Sequence, residues 1–308
     1  MKLVRDIQEI TALTDGCVAT IGNFDGLHLG HQHILQQLNS QSQQYRLPKV
    51  VISFEPLPTE FFSDHQSPRI YPFRDKCRYL ESMGVDYFIC LRFNDALAQM
   101  EPEAFVEKIL FKTANVRALV VGDDFCFGKD RKGNFDLLKR LGEQNNMQVS
   151  ESFTHKDLTG RVSSTRIRQH LMAGETAAAS ALLGRKYALS GRIRHGAKLG
   201  RTIGFPTLNL RIQDNIAPAN GVYAVKVRGL SAEPLKGVAN LGNRPTVDGL
   251  ETRLEAHIFD FDQSVYGEHI QVELVEYLRS EKKFESFDLL KAQIVKDAQQ
   301  ARKILKLT

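Results

Sequence analysis

The stretch Gly22-Asn23-Phe24-Asp25-Gly26-Leu27-His28-Leu29-Gly30-His31 holds the densest chemistry in the sequence. A β-branched and apolar run, Cys17 to Ile21, leads into it, and a pattern of helical period from His31 to Gln44 follows, with Ile34, Leu35 and Leu38 on one face. A helix beginning at such a turn presents unpaired N–H groups and the positive end of its dipole. The glycines, Gly22 and Gly30 among them, let backbone approach a polyphosphate, and imidazoles at i and i+3, His28 and His31, can face the same anion. That chemistry fits a nucleotide α-phosphate. Adenylyl transfer needs no covalent intermediate when an acceptor phosphate attacks in line and nearby groups stabilise the charge on phosphorus and on the departing pyrophosphate. The competing reading makes the two histidines a cap and a packed ring of an ordinary helix. HxGH spacing beside a glycine-rich turn favours the phosphate site.

Two further segments of the first half carry weaker signals. In Arg161-Val162-Ser163-Ser164-Thr165-Arg166-Ile167-Arg168, hydroxyls and guanidinium groups can grip phosphates, but Ser163 or Ser164 serves equally well as a helix N-cap. Asp123 and Asp124 follow an apolar run, where open α/β sheets bind ligands and where turn-forming acids are equally common.

A second constellation opens the other half, from Gly191 through Asn209. A mobile glycine loop containing Gly196, Lys198 and Gly200 can place N–H donors and a cation around ATP phosphates. Thr207 and Asn209, two apart on a strand, point the same way and can hold Mg²⁺ together with those phosphates. No GxxxxGK[ST] or protein-kinase signature occurs, so phosphoryl transfer here requires different machinery.

HxGH followed much later by Ser163-Ser164-Thr165-Arg166-Ile167-Arg168 resembles the bacterial FAD synthetase branch of the HxGH nucleotidyltransferases, and the longer string GNFDGxHxGH sharpens the likeness. The resemblance implies that Gly22, Phe24, Asp25, Gly30, Asp124, Ser164, Thr165 and Arg168 contact ATP beside the catalytic His28 and His31. In one place the chain departs from the pattern. Relatives often carry a histidine in a PHP step after the second strand of the domain, where this chain has Pro56-Leu57-Pro58. Gly204-Phe205-Pro206-Thr207-Leu208-Asn209 and Gly237 to Thr246 resemble the successive motifs of riboflavin kinases, and Glu255 matches that family's catalytic glutamate. A positioned carboxylate can take the proton of a ribityl hydroxyl. Asp297 and Arg302 also recur in that family's final helix, though solvated helix charges explain them almost as well. The joint resemblance implies an enzyme that phosphorylates riboflavin to FMN and adenylylates FMN to FAD, with ATP as co-substrate and Mg²⁺ as cofactor.

The elements that must position these residues change character along the chain. Through about Leu183, short apolar runs at Lys49 to Phe54, Tyr87 to Leu91, Ala118 to Gly122 and Met147 to Phe153 alternate with helical patterns near Arg74 to Met83 and Pro102 to Lys112. This predicts an α/β, Rossmann-like domain with a parallel sheet. Two short helices, Ser164 to Ala173 and Glu175 to Leu183, precede strands at Tyr187 to Ile193, Val222 to Val227 and His269 to Leu278, which predict a small antiparallel β-barrel. A terminal amphipathic helix, Ser286 to Leu305, should pack on it. The period change near Gly184 predicts domains at 1–184 and 185–308, as a length of 308 residues suggests at roughly 100 to 200 per domain.

Bulk properties narrow the partners. A net charge of +5 from 41 basic and 36 acidic residues lacks the dense stripe of a nucleic-acid binder, so small acidic molecules are the expected partners. Charges near Met1 and the lack of a long apolar run predict a cytoplasmic chain without membrane contact. Cys17, Cys77, Cys90 and Cys126 form no CxxC pair and are expected as reduced, buried thiols. Two other functions compete: an HxGH nucleotidyltransferase for another acceptor with a regulatory barrel, and a tRNA-binding protein of the synthetase type. Thr207, Asn209 and Glu255 argue against an inert barrel, and the absence of a lysine-rich KMSKS segment argues against the second.

Overall fold

The computed structural model describes residues 1–5, 13–63, 68–196, 204–212, 215–246 and 249–307. The chain forms two compact units, Met1–Ser67 with Lys76–Ser163, and Pro68–Asp75 with Ser164–Thr308.

The first unit contains β1 (Lys2–Val4), β2 (Cys17–Ile21), α1 (Leu29–Tyr45), β3 (Lys49–Glu55), α2 (Pro58–Phe61), α3 (Phe73–Ser82, from Lys76 on), β4 (Tyr87–Arg92), α4 (Asp95–Ala98), α5 (Pro102–Phe105, continued by a π-helical turn, Val106–Thr113), β5 (Val116–Gly122), α6 (Phe135–Gln144), β6 (Gln148–Ser152) and the hairpin β7 (Lys156–Asp157) and β8 (Gly160–Arg161). Its six-stranded sheet has the order β1-β4-β3-β2-β5-β6, and every pair is parallel. All of β2 is buried, as expected of a strand covered on both faces. From β2 the chain winds outward first through β3 and β4, then back to β5 and β6 on the other side. The carboxyl end of β2 is therefore the topological switch point, where such sheets leave a crevice.

The second unit contains α7 (Ser164–Met172), α8 (Thr176–Leu183), β9 (Ala188–Arg192), β10 (Leu208–Arg211), β11 (Gly221–Arg228), β12 (Leu235–Thr246), β13 (Gly249–Ile258), β14 (His269–Arg279) and α9 (Phe287–Ile304). Its strands run antiparallel in the order β10-β13-β12-β11-β14-β9. A bridge between Arg194 and Asn209, with the Arg194 N–H donating to the Asn209 carbonyl at 2.8 Å, brings the two edges together into a nearly closed barrel. Ser286 caps α9 by accepting from the Leu289 N–H at 3.3 Å, and Ala298, Ala301 and Leu305 bury against Val222, Ala224, Val238 and Phe259.

The expected parallel α/β half, antiparallel barrel and terminal helix are thus the observed folds. The sequence reading assigned nothing to α6, although Asn134 caps it through the Leu137 N–H at 3.0 Å and Leu138 is buried beneath it. Of the cysteines, Cys17 and Cys90 are buried, with thiols pushed up to about 12 and about 11 by burial, while Cys77 and Cys126 are half-buried.

Candidate functional sites

In the first unit, the turn from β2 to α1 is held by buried apolar side chains and three left-handed residues. Phe24 and Leu27 are fully buried at φ 47°, and Gly26 lies at φ 84°. A Cβ on Gly22 would stand 3.2 Å from the Phe24 ring, and one on Gly30 would stand 3.1 Å from the His28 ring, so these glycines make room for the rings beside them. His28 is the N-cap of α1, its Nδ1 accepting from the His31 N–H at 3.3 Å. With Nδ1 accepting, a neutral His28 carries its proton on Nε2, where it can donate to an anion. The two imidazoles stack with centroids 3.7 Å apart, and Phe24 packs on His31 at 4.9 Å. Capping and phosphate chemistry, rivals in the sequence, are compatible in this geometry, because the cap bond itself orients the ring. Asp25 is buried in the same turn.

At the carboxyl end of β5, Asp123 accepts from the Thr154 N–H at 2.9 Å and hydroxyl at 2.7 Å, and Asp124 pairs with Arg161 at 2.6 Å. Partial burial pushes the Asp123 carboxyl up, but the Thr154 bonds and the Arg161 charge outweigh it and hold the group below the usual range. Leu57, standing where relatives often have histidine, is buried at the N-cap of α2. Phe54 near the end of β3, Phe61 and Phe62 at the end of α2 and Phe93 just past β4 meet edge to face at 5.2–5.7 Å, a cluster the sequence pattern does not announce. Phe62 is 68% exposed, so the cluster offers an open aromatic face. The Phe61-Phe62 pair just past a strand was its only signal in the sequence. Ser164, Thr165 and Arg168 stand on α7 in the second unit, and the Arg168 Nε donates to the Pro68 carbonyl at 2.9 Å.

In the second unit, Asn209 on β10 and Asn240 on β12 both pair with Glu255 on β13, so the three side chains share one face of the barrel. The Asn209 Nδ2 lies 3.2 Å from the Thr207 carbonyl and 3.5 Å from its hydroxyl. A Cβ on Gly196 would fall 2.4 Å from the Asn209 amide, so this glycine lies directly against it. Lys198 and Gly200 lie outside the described residues. His257, two residues past Glu255, donates from Nδ1 to the Pro206 carbonyl at 2.8 Å, which leaves Nε2 as an acceptor. Burial holds its basicity below the ordinary histidine range, aided by Arg302 and opposed by the Pro206 bond and Asp260.

His257, Phe205, Pro206, Phe259, Asp260 and Arg302 line a cavity of about 640 Å³, a size that fits a small ligand. Arg302 donates to both Asp260 oxygens, at 2.9 and 3.2 Å, and lies over the Phe259 ring at 4.4 Å. That bond holds the Asp260 carboxyl below its usual range. Asp297 is buried and accepts from Arg279 at 2.7–3.0 Å and from Gln293 at 2.8 Å. Neither helix charge is simply solvated.

The sequence matches the family model described as FAD synthetase over residues 10–166 and the one described as riboflavin kinase over residues 183–305. It is 45% identical over 310 aligned positions to the bifunctional riboflavin kinase/FMN adenylyltransferase of Escherichia coli strain K12, covering 100% of this chain and 99% of the relative. The protein of the same name from Haemophilus influenzae is 43% identical, with 98% of each chain covered. A crystal structure from Streptococcus pneumoniae titled macrolide-efflux protein superposes with a TM-score of 0.81 at 32% identity, over 97% of this chain and 98% of that one. Among the described residues no helix is long and apolar enough to cross a membrane.

Proposed function

The chain belongs to the bifunctional riboflavin kinase/FMN adenylyltransferase family, and on that premise we propose which residues carry each of its two reactions. It phosphorylates riboflavin to FMN and adenylylates FMN to FAD. The proposed division assigns residues 1–184 to adenylyl transfer and 185–308 to the kinase.

In adenylyl transfer, a phosphate oxygen of FMN attacks the α-phosphorus of ATP, the bond to the β-phosphate breaks, and pyrophosphate leaves. His28 and His31 stabilise the charge that develops on the transferring and leaving groups, with the N–H groups at the start of α1. Gly22, Phe24, Asp25 and Gly30 shape that cradle, while Asp124, Ser164, Thr165 and Arg168 complete ATP binding. The open aromatic face at Phe61, Phe62 and Phe93 suits a flat isoalloxazine ring.

In the kinase, Glu255 takes the proton of the ribityl 5′-hydroxyl as that oxygen attacks the γ-phosphorus, and ADP leaves. Gly196, Lys198 and Gly200 address the phosphates. The Thr207 hydroxyl and the Asn209 amide oxygen are hard donors of the kind Mg²⁺ prefers; the Asn209 Nδ2 stands 3.5 Å from that hydroxyl, so the amide would turn over to bring its oxygen to a shared ion. Such an ion would neutralise charge on the ATP phosphates. The cavity beside His257 and Phe205 suits the purine of this ATP.

The reading rests above all on the register that sets Asn209 opposite Glu255, since it puts an amide suited to phosphate or metal binding and a carboxylate suited to a base on one face. The test incubates purified protein with riboflavin, ATP and Mg²⁺ and follows flavins by chromatography. FMN should appear first and FAD after it; absence of FMN would leave the barrel without catalytic support. Both products form in the cytosol, where ATP is available.

A further inference from the structure

Lys76 on α3 is only 7% exposed, although a buried ammonium loses much of its hydration. Its Nζ donates to the Asn23 carbonyl at 2.6 Å and to the Ser53 hydroxyl at 2.7 Å, and the Ser53 hydroxyl donates to the same carbonyl at 3.3 Å. The Phe88 ring lies 5.4 Å from the ammonium. A helix, the end of β3 and the turn after β2 therefore converge on a single peptide oxygen. A methionine would fill a similar volume without that desolvation, so what the lysine adds is the set of bonds its ammonium makes. Packing alone does not call for a lysine here.

The peptide that Lys76 holds joins Asn23 to Phe24, whose φ of 47° opens the glycine-rich turn. In a planar trans peptide the C=O and N–H point in opposite directions. Drawing the Asn23 oxygen toward the buried ammonium turns the Phe24 N–H away from it. We propose that Lys76 is a positioning residue for adenylyl transfer: through the Asn23 carbonyl it fixes the peptide plane that begins the phosphate cradle, so that the N–H groups running up to His28 are set before ATP arrives. This inference rests on the assignment of adenylyl transfer to the β2–α1 turn.

The experiment uses the full chain and measures both activities on each variant, so the kinase reports on folding. In K76M, kcat for converting supplied FMN to FAD should fall roughly 100-fold, the scale expected when a cradle is displaced by about 1 Å, while KM for FMN stays within about threefold and riboflavin phosphorylation within about twofold. K76R, which keeps the charge and the donors, should recover about tenfold over K76M, and S53A should lower kcat about fivefold. If K76M does not fold, S53A decides, and an unchanged kcat there overturns the proposal. It is likewise overturned if K76M keeps adenylyl transfer within about threefold of wild type, or if both activities fall together with the melting temperature, which marks a packing role. Wild-type protein that makes no FAD from FMN would remove the parent assignment too. Wild-type activity that K76M does not impair would remove this inference alone.

Discussion

The two proposed phosphate sites are built in opposite ways. In the first, the proposed residues from Gly22 to His31 lie within one turn, with backbone N–H groups, a helix end and stacked imidazoles at the switch point of a parallel sheet. In the second, Asn209 stands opposite Glu255 because β10 and β13 pair in one register, and His257 reaches Pro206 across the same ladder. A local turn tolerates change elsewhere in the chain but not within itself. A cross-strand site depends on distant register, since a slip by one residue would turn Glu255 to the barrel interior.

Separate chemistry predicts separable losses. The largest is expected for Glu255→Ala, which should lower FMN formation roughly a hundred- to ten-thousandfold while supplied FMN still becomes FAD. Loss of both activities in a folded variant would break the two-site comparison. The mirror experiment, His28→Ala, should lower FAD formation about a hundred- to a thousandfold with FMN accumulating, and steady kinase rates beside lost FAD are its signature.

Gly196→Ala is a sharper probe, because the new Cβ would fall within 2.4 Å of the Asn209 amide. Pushing that amide aside should reduce kinase kcat/KM by about ten- to a hundredfold without changing adenylyl transfer. A kinase of normal efficiency would separate Asn209 from phosphate binding.

Phe62→Ala tests the open aromatic face. It should raise KM for FMN in adenylyl transfer by about two- to tenfold, and an unchanged KM would move the flavin elsewhere.

The smallest effect concerns acidity. His257 holds protons less well in the folded barrel than at the ordinary value of 6.5, so unfolding takes up a proton at lower pH. The stability linked to its neutral form is present above that value and lost as pH falls through the lower folded one. Heat resistance of the kinase activity should therefore decline as pH falls below the ordinary value and through the lower folded one. His257→Asn should flatten that slope, with the Arg302–Asp260 pair still in place, and an equally steep slope would exonerate His257.

Much of the fold was legible because alternation and helical period are local. The apolar runs located β2, β3 and β4, and the Phe287, Leu290, Ile294, Ala298 and Ala301 spacing located α9. The short strand β10 was visible only through Thr207 and Asn209, since four residues carry little periodicity. The aromatic face escaped notice because Phe54, Phe61, Phe62 and Phe93 come from three separate segments that only the sheet order gathers.

From its residues alone, this chain declared a helix start armed with two imidazoles and a barrel strand bearing hard oxygen donors. Both are short-range patterns, and backbone geometry makes their consequences nearly automatic. Folding decided that Asn209 and Asn240 flank Glu255 and that Lys76 reaches Asn23. Each of these depends on strand register or on burial of a distant helix, which no local spacing encodes.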